Sequence, residues 1–483
     1  MAKKSEKINF KYNFKVFWGF LLKYKSLVFW ILALSFILQS FQVVDKLLLK
    51  IIIDDGTEFL SGSLVRESFL KILLGVAGVY GLIIILRPIG KWFHLHILNL
   101  LQAHLVLDLK RKYFNHIIHL SHRFHTTHKT GSLISRLLRG GRAIEGMTDI
   151  LAFNVAPLLF ELVVVTLSII YFDWSSAVVV FFTAVAFVGY SLFIQQMQKI
   201  PSLEENQADD TEKANVGDIF TNIDSIKYFG KEESIKKRYG QLSEISKDKT
   251  LKHGGYFRYL DAGHSLILGI GTFFLVLFPL MKFLDGELSL GSLVFIYTVF
   301  GNLMGPLFGF VYGIRGYYRA MADFEALFEY GKIENDIKDK QGAKNLTINI
   351  GEIEFRNIDF NYDKRKLFHN FSLKIPKNKK VALVGHSGSG KTTLVKLLYR
   401  LYDVEKGKIL VDGEDIRDFK QESLRGELSI VPQECILFDD TIYNNIAFSK
   451  PNASREEVFQ AMKFAQLDKI VQTFPKKEKT IVG

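Results

Sequence analysis

The run Gly385-His386-Ser387-Gly388-Ser389-Gly390-Lys391-Thr392-Thr393 sets Gly385 and Gly390 five positions apart and follows the second with a lysine and two hydroxyls. Those residue types at that spacing fit the phosphate-loop pattern at every fixed position. Glycines let the backbone turn tightly enough for successive N–H groups to point into one hollow, and a helix starting there adds its positive end. The chemistry is the cradling of nucleotide phosphates. Lys391 is placed to reach the outer phosphates as a point charge, and the Thr392 hydroxyl to be a ligand of the magnesium ion that bridges them.

Such a loop must be held between a strand and a helix. Lys380-Val381-Ala382-Leu383-Val384 is a short apolar run that reads as a buried strand, and Leu394, Leu397, Leu398 and Leu401 recur at helical spacing behind the loop. Earlier, Ile348, Ile350, Ile353, Phe355, Ile358 and Phe360 alternate in the manner of paired strands. Residues 346–483 therefore read as an α/β phosphate-loop domain, joined to what precedes it by a charged linker at 331–345.

What precedes it is of a different character. The chain is 483 residues long, 48% hydrophobic and carries a formal charge of +12, too apolar for a disordered protein. Six apolar segments, 26–53, 69–100, 149–172, 174–194, 260–284 and 290–312, each approach or exceed the roughly 20 residues that a membrane helix requires. Ahead of them, Phe10, Phe14, Phe17, Trp18, Leu21 and Leu22 share one helical face opposite lysines, which reads as an interfacial helix within residues 1–25.

The basic excess is distributed as membrane orientation requires, not as a nucleic-acid surface. Lys110, Arg111, Lys112, Arg123, Lys129, Arg136, Arg139 and Arg142 follow the second segment, whereas Asp54, Asp55, Glu58 and Glu67 follow the first. Both termini are expected in the cytoplasm, and the plasma (inner) membrane is the expected location. The single cysteine, Cys435, allows no intrachain disulfide and fits a reducing compartment.

The two long inner connections keep helical periodicity beyond the bilayer, so helices are expected to extend into the cytoplasm and turn near residues 121–135 and 221–233. Glu161 and Asp261 are carboxylates inside apolar runs, where a charge ordinarily faces a cavity or a partner. Structural hydrogen bonding is the expected role of Glu161. His94 and His96, two residues apart, fall on different helix faces, which argues against a shared metal ion.

Six membrane segments followed by a phosphate loop resemble an ATP-binding cassette exporter of the half-transporter kind, membrane domain first. The fold this implies is a six-helix membrane domain over 26–330 (type I exporter) plus a partial α/β phosphate-loop NTPase domain. The resemblance implies ATP and magnesium as cofactors, a second and identical subunit as partner, and a small molecule or lipid as substrate. Tyr362 stands where the family places the aromatic that stacks on adenine. Val431-Pro432-Gln433-Glu434 resembles the Q-loop, whose glutamine touches magnesium and the attacking water. Gly407-Lys408-Ile409-Leu410-Val411-Asp412-Gly413 resembles the hairpin beside the phosphate-loop helix. Phe124 with Thr130-Gly131-Ser132-Leu133-Ile134-Ser135-Arg136, and Ile226-Lys227-Tyr228-Phe229-Gly230-Lys231-Glu232, resemble the two coupling turns.

A narrower likeness is carried by Arg139-Gly140-Gly141-Arg142-Ala143-Ile144-Glu145 and Phe153-Asn154-Val155-Ala156-Pro157-Leu158-Leu159-Phe160-Glu161, with the second coupling turn. They resemble the branch of mitochondrial iron-sulfur-linked and heavy-metal-tolerance exporters. In that branch an asparagine and a glutamine line the substrate cavity where Asp261 and His264 stand here, so these two are the substrate-cavity candidates. An aspartate there repels an anionic tripeptide, and the branch's glutathione-type substrate does not carry over.

The signature segment, the acidic strand end with its magnesium aspartate and catalytic glutamate, and the switch histidine of the resemblance are not in the sequence. No catalytic residue is assigned, and the chain is expected to bind ATP through a half-site without hydrolysing it, as a truncation of a longer pump. The alternatives are a nucleotide-gated membrane regulator that binds ATP without pumping, and a lipid or drug flippase of the same fold.

Overall fold

The computed structural model describes residues 8–128, 130–362, 365–432 and 436–483. They form two compact units: one runs to Leu120 and continues over His125–Glu334, and the other comprises Ser121–Phe124 and Asn335–Gly483. Gln433 and Cys435 lie outside the described residues, as do Lys129 and Met1 to Lys7.

The first unit is helical throughout. Its order is α1 (Phe10–Lys23), α2 (Lys25–Leu60), α3 (Arg66–Ile118), α4 (His122–Thr127, of which the first part groups with the second unit) and α5 (Thr130–Asp149). A π-helical turn, Ile150–Val155, carries α5 into α6 (Ala156–Phe172). Then come α7 (Trp174–Thr221), α8 (Ile223–Phe229), α9 (Glu232–Leu284), α10 (Leu290–Asn302) and α11 (Met304–Phe328). Among the described residues six helices are long and apolar enough to cross a membrane, α5 with α6 and α10 with α11 each forming one span.

These helices outrun the apolar segments that announce them. α7 passes through Pro201 and continues to Thr221, although its apolar run ends at Ile194. α2 likewise continues through Asp54, Asp55 and Glu58, so these acidic residues form its last turns and not a loop. Hydropathy falls where a helix leaves lipid, but the intrahelical hydrogen bonds that define it do not.

Local chemistry fixes the breaks. Between α6 and α7 only Asp173 is non-helical, and its carboxylate accepts from the backbone N–H of Ser175 at 3.2 Å and Ser176 at 3.0 Å. This is an N-cap, and Lys282 near the end of α9 donates to the same carboxylate at 2.6 Å. α8 ends at Gly230, whose φ of 57° is left-handed and open to glycine without a Cβ penalty. Below the apolar stretch, Glu204 of α7 takes Lys249 at 2.9 Å and Lys252 at 3.2 Å from α9, which keeps the two helices side by side.

α1 is amphipathic and docked. Phe17 and Leu21 are buried in a core shared with Leu105 and Leu109 of α3 and Phe324 of α11, while Trp18 and Leu22 stay exposed. Asn13 donates to Glu325 at 2.8 Å and Met321 O at 3.2 Å. The exposed apolar face is what a helix lying at a bilayer surface presents.

The second unit is built on strands β1 (Ile353–Tyr362), β2 (Arg365–Ile375), β3 (Lys406–Val411) and β4 (Glu414–Asp415), antiparallel in the order β2-β1-β3-β4. Phe355, Ile358 and Phe360 of β1 face the core, and the three-residue step between the first two is a register shift against β2. Ile348 and Ile350, read as part of the same alternation, precede the strand and are exposed. The turn from β3 to β4 holds Asp412 at φ 50° and Gly413 at φ 84°. Short elements follow: α12 (Lys391–Leu398) between β2 and β3, then α13 (Gln421–Gly426), β5 (Asp440–Thr441), α14 (Ile442–Ala447), α15 (Arg455–Phe464), α16 (Asp468–Thr473) and β6 (Ile481–Val482).

One strand expectation fails. Residues 380–384 form no ladder, and Val381, Leu383 and Val384 are exposed, Val384 at 90%. Residues 428–431, the apolar run before the Q-loop, are also unpaired, with Val431 96% exposed. An apolar run becomes a buried strand only with neighbours beside it and layers above and below, and the described residues supply no ladder partner for either run.

Candidate functional site

The phosphate loop hangs between the exposed segment 380–384 and α12. Leu394 and Leu397 bury one face of α12 against β1 and β3 residues Phe355, Phe360 and Ile409, each leucine contributing about 2 kcal/mol of apolar burial. That packing fixes the helix axis and leaves its N-terminal turn at the surface. The first N–H groups of a helix have no intrahelical acceptor, so this turn offers donors to an anion.

The loop's conformation depends on two glycines. Gly388 and Gly390 sit at φ 80° and 97°, which a side chain rarely tolerates. A Cβ on Gly390 would lie 2.6 Å from Phe368 Cζ, and one on Gly388 would lie 3.6 Å from Arg365 Nη2. The start of β2 therefore backs the loop. Because Arg365 pairs with Tyr362, the end of β1 is brought to the same place. Tyr362 is half-buried there, edge-on to Phe360 at 4.9 Å and to Tyr402 at 5.3 Å.

Lys391 turns back over its own loop, donating to Gly385 O at 2.7 Å and His386 O at 2.9 Å. Its ammonium occupies the mouth of the hollow. Thr392 is exposed, whereas Thr393 is buried under the helix. His386, Ser387 and Gly388 are exposed, and Ser389 is half-buried. A loop closed to a Cβ at Gly390, an ammonium at its mouth held only by loop carbonyls and an exposed hydroxyl at the helix start fit a nucleoside triphosphate with its magnesium ion. Gln433 lies outside the described residues.

The hairpin beside the loop is clamped by Asp412, whose carboxylate accepts from the N–H groups of Asn349, Ile350, Gly351 and Glu352 at 2.8 to 2.9 Å. The bond from Ile350 is the foremost of the contacts that hold this carboxyl below its ordinary range, with Glu352, Asn349 and Gly351 adding to it. Arg400 beyond α12 is 2% exposed and donates to Asp403 at 3.1 Å and Lys338 O at 3.1 Å.

In the membrane unit the two substrate-cavity candidates of α9 part company. His264 is 1% exposed, stacked on Phe187 at 3.8 Å and hydrogen-bonded to Ser191 Oγ at 2.7 Å. Asp261, three residues earlier, is exposed. In this conformation the histidine is part of the packing between α7 and α9. Glu161 on α6 is fully buried, yet neither carboxyl oxygen has a hydrogen-bond partner among the described residues. Its expected structural hydrogen bonding is thus absent among the described residues: Leu158 and Val165, one turn away on the same buried face of the helix, carry no polar side chain.

Sequence reasoning passed over a polar cluster near the middle of α2 and α3. Asp45 lies inside an apolar run just as Glu161 and Asp261 do, and it is ion-paired with Arg87 across the two helices. The signal was present as Arg87, Lys91 and His94 at helical spacing within an apolar segment.

Comparison with known families places both units. Residues 28–307 match the ABC transporter transmembrane region, and residues 368–481 match the ABC transporter family. An Arabidopsis thaliana protein, ABC transporter B family member 24, mitochondrial, is 30% identical over 387 residues, covering 78% of this chain and 56% of the relative. The iron-sulfur clusters transporter ABCB7, mitochondrial, of Rattus norvegicus is 32% identical over 382 residues, covering 78% of this chain and 50% of the relative. The chain thus spans about half the length of the curated relatives it matches. Among solved structures, a bacterial Atm1-family ABC exporter with ATP bound superimposes with a TM-score of 0.80 and 27% identity, covering 93% of this chain and 79% of that one. With a matched transmembrane region spanning more than half of its length and a matched cassette region after it, the chain belongs to the ABC transporter family.

Proposed function

We propose that the protein is one half of an ATP-driven exporter working as a dimer of identical subunits, with six membrane helices per subunit. The observation that carries this is the joining, in one chain, of six membrane-length helices to a phosphate loop backed by β2 and ending in an exposed helix start. Relatives named as iron-sulfur clusters transporters, and a bacterial exporter as structural neighbour, support export as the direction. The basic residues after the second span support a cytoplasmic position for both termini, and the plasma (inner) membrane is the location this reading assigns. In a mitochondrion, where the named relatives work, the same face would look into the matrix.

In this reading Gly385 to Thr393 bind the phosphates of ATP, Lys391 exchanges its loop carbonyls for phosphate oxygens, and Tyr362 stacks on the adenine. Thr392, with Gln433, would hold magnesium, which neutralises charge on the phosphates when bound. Closing of two nucleotide domains over ATP is transmitted through the turns at 121–135 and 221–233, and hydrolysis in the complete protein resets the cycle. Asp261 faces the substrate path as a negative group, and His264 joins it only if α9 moves relative to α7.

Stimulation of ATPase activity by a panel of lipids, peptides and small organic molecules, with the complete protein in nanodiscs, tests the reading. Stimulation by a soluble compound, lost in Lys391→Ala, supports the exporter; stimulation by lipids alone favours a flippase. ATP binding with no hydrolysis under any condition would replace both with a nucleotide-gated regulator.

A further inference from the structure

The phosphate-loop helix α12 stops on an arginine. Tyr399 is its C-cap and Arg400 follows at φ 48°, its N–H donating to Leu397 O at 2.9 Å and that of Leu401 to Lys396 O at 3.0 Å. This pair of bonds is a common helix stop, built on a left-handed position that glycine ordinarily takes. A strained position kept by an arginine with 2% of its surface exposed marks the side chain as the part that is used.

The guanidinium reaches three other segments. Besides its bonds to Asp403 and Lys338 O, it donates from Nη1 to Phe419 O at 3.5 Å and faces Asp339 Oδ1 at 3.6 Å. Asp339 Oδ1 also accepts from the N–H and Nε2 of Gln421, at 3.2 and 2.9 Å, and Gln421 Nε2 donates to Ile337 O at 3.1 Å. Arg425 of α13 closes the network, donating to Tyr399 O and Arg400 O at 3.1 Å and to Gln421 Oε1 at 2.9 Å. Farther on, the Lys344 N–H donates to Asp418 O at 3.0 Å, and its carbonyl accepts from the Lys420 N–H at 2.8 Å. The charged stretch read as a linker is, over 337–344, a strap fastened to its own unit.

The chain before it is fastened as well. In the membrane unit, His116 of α3 donates from Nε2 to Tyr330 O at 2.9 Å and Ile333 O at 3.1 Å, which fixes the chain just past α11. The anchorages at Ile333 and Ile337 stand four residues apart, a step with little slack. α12 carries Lys391 as its first residue and Arg400 two places beyond its last, so a shift of the loop onto a nucleotide moves Arg400 with it.

We propose that Arg400 is a positioning residue that couples nucleotide occupancy to the strap 337–344, and through the chain itself to α11. This route is additional to the turns at 121–135 and 221–233, and it rests on the reading of Gly385 to Thr393 as an ATP site. Nucleotide that orders α12 tightens the strap. By reciprocity, loosening the strap weakens nucleotide binding by the same factor.

The test uses the full chain in phosphatidylcholine nanodiscs. Hydrogen–deuterium exchange reads the strap amides with and without MgATP, and titration with a fluorescent ATP analogue reads affinity. MgATP is expected to slow exchange over 337–344 at least threefold in the wild-type chain and to leave it unchanged in Lys391→Ala. Arg400→Met and Asp339→Asn are each expected to weaken analogue binding at least threefold. Together they should weaken it no more than the stronger one alone, because both cut one path. Asp339 is exposed, so its variant keeps the test open where Arg400→Met does not fold. An analogue that binds while the strap stays unchanged overturns this proposal alone, as do unaltered affinity in Asp339→Asn and losses that add in the double variant. A wild-type chain that does not bind the analogue overturns the nucleotide reading together with it.

Discussion

The Lys391 ammonium lies 2.7 Å from the carbonyl oxygen of Gly385, the first residue of the loop that Lys391 closes. In the proposed ATP-bound state, phosphate oxygens replace that bond and the one to His386. Charge-assisted hydrogen bonds contribute about 1.5–3 kcal/mol each, so Lys391→Ala is expected to weaken ATP binding roughly 10- to 100-fold. The side chain is at the surface, and the thermal midpoint should stay within about 1 °C. Binding of a fluorescent ATP analogue, read beside thermal unfolding, checks both.

Gly390→Ala should act through the fold. Its φ of 97° and the 2.6 Å approach of a Cβ to Phe368 Cζ combine a strained backbone with a clash against a ring that the core holds. The expected cost is about 2–4 kcal/mol. Gly388→Ala, with the same hand of φ but 3.6 Å of room, should cost less. Limited proteolysis of the two variants ranks them.

Asp412 links stability to pH. Four backbone N–H groups, that of Ile350 foremost, hold its carboxyl below the ordinary value of 3.8. A folded-state pKa below the unfolded one means that its contribution is fully present above that ordinary value and is lost as pH falls through the folded value. The difference in unfolding midpoint between the wild-type chain and Asp412→Asn should therefore be largest near neutrality and shrink below pH 4. A difference that grows on acidification would contradict this assignment.

Asp173 does two jobs that substitution separates. Asp173→Asn keeps one acceptor oxygen, enough to cap one of the N–H groups of Ser175 and Ser176, but loses the charge facing Lys282, whereas Asp173→Ala loses the cap and the charge together. The alanine variant should lower stability by about 1–2 kcal/mol more than the asparagine variant, the size of one N-cap. Thermal unfolding in detergent measures the order.

The parts of this molecule that were legible in the sequence are those whose signal is local. Apolar runs locate membrane helices because lipid demands them, and a glycine pair with Lys391 locates a phosphate loop because only those types make one. The end of α2 was not legible, because Asp54, Asp55 and Glu58 continue the same hydrogen-bond ladder past the apolar run, whereas α7 ends at Thr221, where the second inner turn was expected to begin. The strand at 380–384 was misread because burial of an apolar run depends on neighbours distant in sequence. A cavity at Arg87, Asp45 and His94 went unread because its lining comes from four different membrane segments, and only packing shows that they face one space.

The central claim is that ATP bound at Lys391 drives a solute through the membrane unit. Uptake of a labelled substrate into inside-out vesicles carrying the complete protein measures it most directly. The expected result is accumulation above the external concentration with ATP, abolished in Lys391→Ala. Equilibration to the external concentration and no further, with ATP present and unaffected by Lys391→Ala, would contradict the claim.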